Sequence, residues 1–194
     1  MSDLFFEPDD ATALSVEERQ DLIPAHIAFR RELNELEQSN IARAQDWAMS
    51  RRRDLLTEKF VRELHKRMLG NVWKWAGKFR TSERNIGIPY TGIAVALRLL
   101  LDDTSDWVAN QTYAVDEIAV RFHHRLVQIH PFPNGNGRHS RLMADLLAMS
   151  LGAERFSWGS TSLLEDGATR QRYIAALQLA DRRQIGELLL FARS

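Results

Sequence analysis

The run His130-Pro131-Phe132-Pro133-Asn134-Gly135-Asn136-Gly137-Arg138-His139-Ser140-Arg141 decides how this chain is to be understood. Upstream of it, Val115, Ile118, Ala119, Phe122, Leu126 and Ile129 repeat at helical spacing. Downstream, Leu142, Leu146, Leu147 and Leu151 do the same, with Gly152 just past the end. The run is therefore a loop that opens a helix. Gly135, Asn136 and Gly137 leave the backbone little covered, so N–H groups at the helix start can meet an anion. A helix terminus contributes only about 0.3–1 kcal/mol, rising to ~2 when partly buried, so fixed charges must do much of the binding. Arg138 and Arg141, three apart on the first turn, supply them and could both reach a polyphosphate. His130, across the loop, can take a proton from an attacking hydroxyl at neutral pH. Phe132 is the expected structural anchor. No Gly-Lys-Ser/Thr is present and no strand leads in, which separates the run from a P-loop.

Outward from this loop the chain is nearly all helical. Pro24 suits the first position of a helix running through Ile27, Leu33 and Leu36 to Ile41 and Trp47. Thr57-Glu58 starts another, which carries Phe60, Val61, Leu64 and Met68 and ends at Gly70. Residues 77–92 lose the helical period, hold three glycines and a proline, and predict a short β-hairpin or extended flap. Helical spacing returns through Ile93, Leu97, Leu100, Leu101 and Trp107. Residues 153–166 form a loop, followed by helices around 168–180 and 181–192, the second capped by Asp181. Trp73, Trp75 and Trp107 are expected to pack in or against the core. The expected fold class is all-α, a compact helical domain with one short hairpin flap.

Bulk composition narrows the function. At 194 residues the chain suits one domain with an added N-terminal segment. Net charge is zero, so nothing in the total calls for nucleic acid or an anionic membrane. Of 26 basic residues only four are lysine, a bias toward the planar fork that grips phosphate and carboxylate. Cysteine is absent, which excludes disulfides, thiol nucleophiles and Cys-based zinc sites. The N-terminus lacks the basic start and apolar stretch of a signal peptide, and no run suffices to span a bilayer, so a cytoplasmic location is expected. Arg51-Arg52-Arg53 weakly suggests a DNA-associated regulator, but a solvated helix end explains it more cheaply.

The run 130–141 resembles the Fic/Doc signature, His-x-Phe-x-(Asp/Glu)-Gly-Asn-Gly-Arg-x-x-Arg. Trp75-Ala-Gly-Lys-Phe-Arg80 is similar to the lead into that family's target-binding flap, and Arg121 to Ile129 to its pre-motif helix. Arg172-Tyr-Ile-Ala-Ala-Leu177 resembles its C-terminal helical packing, and the whole looks most like the branch called mobile mystery protein B. The resemblance implies a polar segment over 1–22, an N-terminal helical segment over 23–54 and a Fic catalytic domain over 55–194. It implies transfer of AMP from ATP to a hydroxyl of a target protein, with Mg²⁺ or Mn²⁺ bridging phosphates. His130 would be the base. Gly135, Asn136 and Gly137 would cradle the α-phosphate, with Asn136 steadying its charge. Arg138 would hold the β/γ-phosphates and Arg141 the γ-phosphate. Residues 79–90 would clamp the target by strand addition, and a helix-turn-helix protein is the family's usual neighbour. Gly137 favours nucleotidyl over phosphoryl transfer, since lysine is typical there in Doc. Asn134 replaces the acidic residue that helps hold the metal, which weakens that contact.

The resemblance also implies a brake. Asn34-Glu-Leu-Glu-Gln-Ser-Asn-Ile41 is similar to the family's inhibitory helix, with Glu37 as the glutamate that pairs with the second motif arginine. Leu33 and Gln38 depart from that pattern, and Thr161-Ser-Leu-Leu-Glu165 also fits the spacing. Alternatives are a nucleotide-binding regulatory module silenced at Asn134, a related phosphate-group transferase, or removal of AMP on the same loop.

Overall fold

The computed structural model describes residues 16–159 and 167–194. Eight helices appear there: α1 (Val16–Arg19), α2 (Arg30–Met49), α3 (Glu58–Leu69), α4 (Ile93–Ala109), α5 (Val115–Ile129), α6 (Asn136–Ser150), α7 (Gly167–Asp181) and α8 (Gly186–Arg193). The expected all-α class holds, and the described residues contain no β-strand, only an isolated bridge between Leu22 and Trp73.

The centre is the pair α5 and α6, which pack along one another and are joined by the 130–135 loop. Their inward residues, Phe122, Leu126, Met143 and Leu147 among them, are buried with Leu64 and Met68 of α3 and Leu97 and Leu100 of α4. Such packing holds the ends of α5 and α6 in fixed register, and those ends carry the chemistry. Around the pair, α3 lies against α2, α4 against α5, and α7 with α8 closes the opposite side. Thr57 caps α3 as its sequence predicts, its hydroxyl accepting the Phe60 N–H at 3.2 Å. Gly152 follows α6 at φ +89°, a conformation suited to glycine.

Three boundaries differ from expectation. Pro24 does not begin α2, because residues 21–23 run extended beside 72–74. Ile23 N–H donates to Val72 O at 2.8 Å and Lys74 N–H to Asp21 O at 3.0 Å. The helix starts six residues later, where Glu32 folds back to accept the N–H groups of Ala28 and Phe29 at 3.0 and 3.1 Å. Residues 78–89 form an irregular loop, not a paired hairpin, followed by a 3₁₀ turn at Tyr90–Gly92. Its main-chain link is to the central loop, Arg80 N–H to Pro131 O at 2.9 Å. Asp181 closes α7 instead of capping α8, and its carboxylate accepts from His124 at 2.8 Å and Gln128 at 2.7 Å. The expected tryptophan roles hold: Trp73 and Trp75 are buried and Trp107 packs partly buried against the core.

Candidate active site

His130 ends α5 in the left-handed conformation (φ 52°, ψ 59°), which turns the chain sharply away from the helix. A non-glycine residue there costs roughly 1–2 kcal/mol, so its surroundings must hold it. The ring is 7% exposed. Burial pushes its pKa down to about 4, against a smaller opposing effect of the Val127 carbonyl. Nδ1 lies 3.3 Å from Val127 O, which assigns the proton to Nδ1 and leaves Nε2 as the acceptor.

The loop that follows is bound to itself. Asn136 is 3% exposed and binds both backbone groups of one residue, accepting Phe132 N–H at 2.9 Å and donating to Phe132 O at 2.8 Å. These two bonds shape the loop and use one of the amide's two N–H donors. Phe132 is the anchor expected of it, fully buried and stacked on His65 with ring centroids 3.7 Å apart. His139 meets it edge-on at 5.2 Å and binds Val61 O at 2.9 Å. Gly135 stands at φ +78°, and a Cβ there would come within 2.6 Å of Leu69, so glycine is required on two counts.

His65 is a site residue that sequence reasoning missed. Gly77 N–H donates to its Nδ1 at 3.0 Å, so Nε2 carries the hydrogen and donates to Asn134 O at 3.0 Å. One buried ring thus ties the α3 side of the flap to the central loop. Burial, then His139, hold its pKa well below the ordinary value, so it stays neutral. Asn134 itself has Oδ1 accepting Gly135 N–H at 2.6 Å. The described residues hold no group of three or more His, Asp or Glu arranged for a metal ion. These donors do not fit a resident divalent cation.

The two motif arginines were expected on one face of the first turn of α6. They diverge. Arg138 reaches α2, where Nη1 lies 2.5 Å from Glu37 Oε2, and Trp73 Nε1 donates to the other carboxylate oxygen at 2.7 Å. Glu37 therefore pairs with the first motif arginine and not the second. The reason is placement: α2 lies against α3 and touches α6 on the side that Arg138 faces. Arg141 turns to α7 and stands over the Tyr173 ring, 5.3 Å from its centroid. Among the described residues it has no carboxylate within ion-pair distance. Burial lowers its pKa, and Asp145, a more distant influence, is already bound by Arg155 and Trp158 at 3.0 and 2.8 Å.

Arg80 was also missed as a site residue. It is 2% exposed and its guanidinium serves main-chain carbonyls on both sides: Nε donates to His130 O at 2.7 Å, Nη1 to Ser82 O at 2.9 Å and Nη2 to Ile88 O. The signal for it was an arginine standing directly before a loop without period. Arg53 of the basic triplet lies over Trp47 at 3.7 Å and donates to its carbonyl, while Arg51 and Arg52 are exposed. Residues 161–165, the second candidate for an inhibitory segment, lie outside the described residues, as do 1–15 of the N-terminal segment.

A buried histidine, a glycine-shaped loop and two guanidiniums on the turn that follows come together at the centre of a helical domain. The chain belongs to the Fic/DOC family, whose model matches residues 55–148. A protein adenylyltransferase fic-1 of Caenorhabditis briggsae is 36% identical over 138 residues, covering 69% of this chain and 25% of that protein. A solved fragment of Fic-1 from C. elegans with a glutamate-to-glycine substitution superposes with a TM-score of 0.68 at 26% identity, over 92% of this chain and 52% of that one. A Bartonella tribocorum BepC structure with bound AMPPNP gives a TM-score of 0.68 over 92% of this chain and 97% of that one; at 15% identity it supports the fold alone. The chain spans about a quarter of the length of the curated relatives it matches. Among the described residues no helix is long and apolar enough to cross a membrane.

Proposed function

We propose that this protein is an adenylyltransferase that moves AMP from ATP to a hydroxyl side chain of a target protein, with the domain over 55–194 acting and the helical segment over 23–54 restraining it. The observation that carries the proposal is Arg141, a half-buried cation on the first turn of α6 that stands over the Tyr173 ring and, among the described residues, has no carboxylate within ion-pair distance. A guanidinium held this way is costly to bury, and a phosphate anion supplies the missing charge. The named activity of the relatives supports the same reading.

In the reaction the target hydroxyl oxygen attacks the α-phosphorus. Its proton passes to Nε2 of His130, and the bond to the bridging oxygen breaks so that pyrophosphate leaves. A base with a pKa near 4 is neutral at pH 7 and therefore available. It accepts the proton as the oxygen–phosphorus bond forms and the hydroxyl becomes acidic. Backbone N–H groups at the start of α6 face the α-phosphate, while Arg138 and Arg141 hold the β- and γ-phosphates. The Asn136 amide acts by holding the loop's shape. Any divalent cation would be held chiefly by the triphosphate, to which Asn134 would add only a neutral oxygen, so transfer should be weak and rise with metal concentration. The irregular loop over 79–90 docks the target. The Glu37–Arg138 pair supports autoinhibition through the subsite of the β/γ-phosphates. A cytoplasmic location and a helix-turn-helix neighbour accompany this reading.

One observation favours a second reading. Asn134 Oδ1 is already occupied by Gly135 N–H, which suits a nucleotide-binding regulatory module with little turnover. Incubation with α-labelled ATP, Mg²⁺ or Mn²⁺ and a cell lysate separates the two. Label should enter protein with Glu37→Gly, rise further when Asn134→Asp is added, and vanish with His130→Ala. ATP bound by all variants with no labelled product under either metal would establish the regulatory module instead.

A further inference from the structure

Arg80 joins two segments, the flap and the end of α5. Its carbonyl partners fall in two sets, Ser82 and Ile88 on the flap, and Ile129 (3.5 Å) and His130 (2.7 Å) at the end of α5. The second set are the last acceptors of a helix, groups with no intrahelical donor and the negative end of its dipole, so a buried cation there is favoured. Its own N–H adds a third contact to the same loop through Pro131 O at 2.9 Å. The Glu83 carboxylate, 3.9 Å away and largely exposed, is a weak partner by comparison. Gly87 completes the joint at φ +104°: a Cβ there would stand 2.6 Å from His130 Cβ and 2.9 Å from Arg80 Nη2. The flap therefore passes directly against the base, with one guanidinium fork clamped on both.

From this geometry we infer that Arg80 is a positioning residue: it holds His130 in its left-handed turn and fixes the flap to it, so that the target-docking loop and the base move as one unit. The energetic reason is that His130 occupies a backbone conformation that opposes its side chain. The Nε bond to its carbonyl is a buried contact on the loop side of that turn, beside the bonds of the His130 N–H and Nδ1 to Leu126 O and Val127 O. Lysine cannot replace this, because it offers one donor site where four carbonyls converge from two directions. Seating a target on the flap would in this arrangement tighten the base directly, without a separate hinge. The kinetic part of the inference rests on the transferase reading above; the mechanical part does not.

Two variants test it in the Glu37→Gly background, Arg80→Lys and Gly87→Ala, the second leaving the buried arginine intact. Hydrogen exchange should accelerate in both variants over 81–88 and at Ile129, His130 and Phe132 together, with α7 and α8 unchanged. With labelled ATP, kcat should fall by about tenfold or more while the ATP Kd stays within about twofold, as expected when a base is misplaced and not lost. Exchange that rises in only one of the two segments, or in neither, overturns the coupling. So does a kcat that is unchanged, or that falls only in step with ATP affinity. If Glu37→Gly transfers no label at all, the transferase reading fails, and the exchange measurement still decides the role of Arg80.

Discussion

The two sides of the first turn of α6 hold their arginines in opposite ways. On the α2 side, Arg138 meets a carboxylate that is itself buried and fixed by the Trp73 indole. On the α7 side, Arg141 meets a ring and a phenol, and the carboxylate behind it, Asp145, is engaged elsewhere. One cation has a carboxylate partner and the other, among the described residues, has none. Under the proposed function this means that one of the two phosphate-binding charges is already engaged within the chain and the other is left for the anion.

What the sides share gives the largest expected effect. Behind Arg138 lies neutral His65 beside His139, and behind Arg141 lies neutral His123, which touches Tyr173 at 3.2 Å. Burial is the first cause of depression in each, taking His123 to about 3 and both His130 and His139 to about 4. A folded pKa below the unfolded one means the unfolded chain binds more protons in the interval between them. Stability is then full above about pH 6.5 and is lost as pH falls toward 4, by up to about 1.4 kcal/mol per pH unit for each such histidine. Melting curves across that window should show a steep fall in Tm. A flat profile would mean that these rings are more hydrated than their burial implies.

Next in size is the direct test of the asymmetry, Arg141→Met against Arg138→Met. Removing Arg141 should leave Tm unchanged or raised, because it deletes a half-buried charge that has no carboxylate partner among the described residues. It should weaken ATP binding by about a hundredfold, the equivalent of one lost bidentate phosphate contact at about 3 kcal/mol. Removing Arg138 should do the reverse to stability, since it strands Glu37, and Tm should fall. Calorimetric unfolding and ATP titration of the pair measure both quantities. Equal Tm shifts would erase the distinction on which the comparison rests.

Glu37→Gln is a gentler intervention, since the amide oxygen can still accept from Trp73 while the charge is gone. ATP affinity should tighten by about tenfold, reflecting one part-buried ion pair of roughly 1.5 kcal/mol no longer in competition. Unchanged affinity would mean that Arg138 contributes nothing to nucleotide binding.

How much of this was legible in advance follows from the kind of contact involved. The 130–141 loop stood out because its chemistry lies in residue types, and helical spacing on both sides fixed its ends. Phe132 as anchor and the uncovered backbone at Gly135 follow from size alone. The partner of Glu37 did not, because the choice between Arg138 and Arg141 depends on where α2 and α7 settle against α6, which is a matter of tertiary packing. Arg80 and His65 were invisible for another reason. Their partners are mostly backbone groups, the carbonyls of His130, Ile88 and Asn134 and the N–H of Gly77, and such partners carry no side-chain signature. The flap misled in the same way, since its turn residues suggested a hairpin while its bonding is to the central loop. Pro24 suited a helix start locally, but pairing of 21–23 with 72–74 took precedence.

The smallest effect probes how Arg141 is held. Tyr173 contributes a ring face beneath the guanidinium and a hydroxyl 3.2 Å from His123 Nε2. Tyr173→Phe keeps the ring and its packing against Phe191 at 5.6 Å and removes only the hydroxyl. One neutral hydrogen bond amounts to about 1 kcal/mol, so ATP affinity should fall by at most about fivefold, with Tm lowered by a few degrees. Leucine at the same position should cost more, because the cation then loses the ring as well, about 0.5–1 kcal/mol beyond the hydroxyl. If phenylalanine and leucine weaken ATP binding equally, the ring contributes nothing and the hydroxyl alone aims Arg141. If neither matters, Arg141 is held by burial, and α7 has no part in the site.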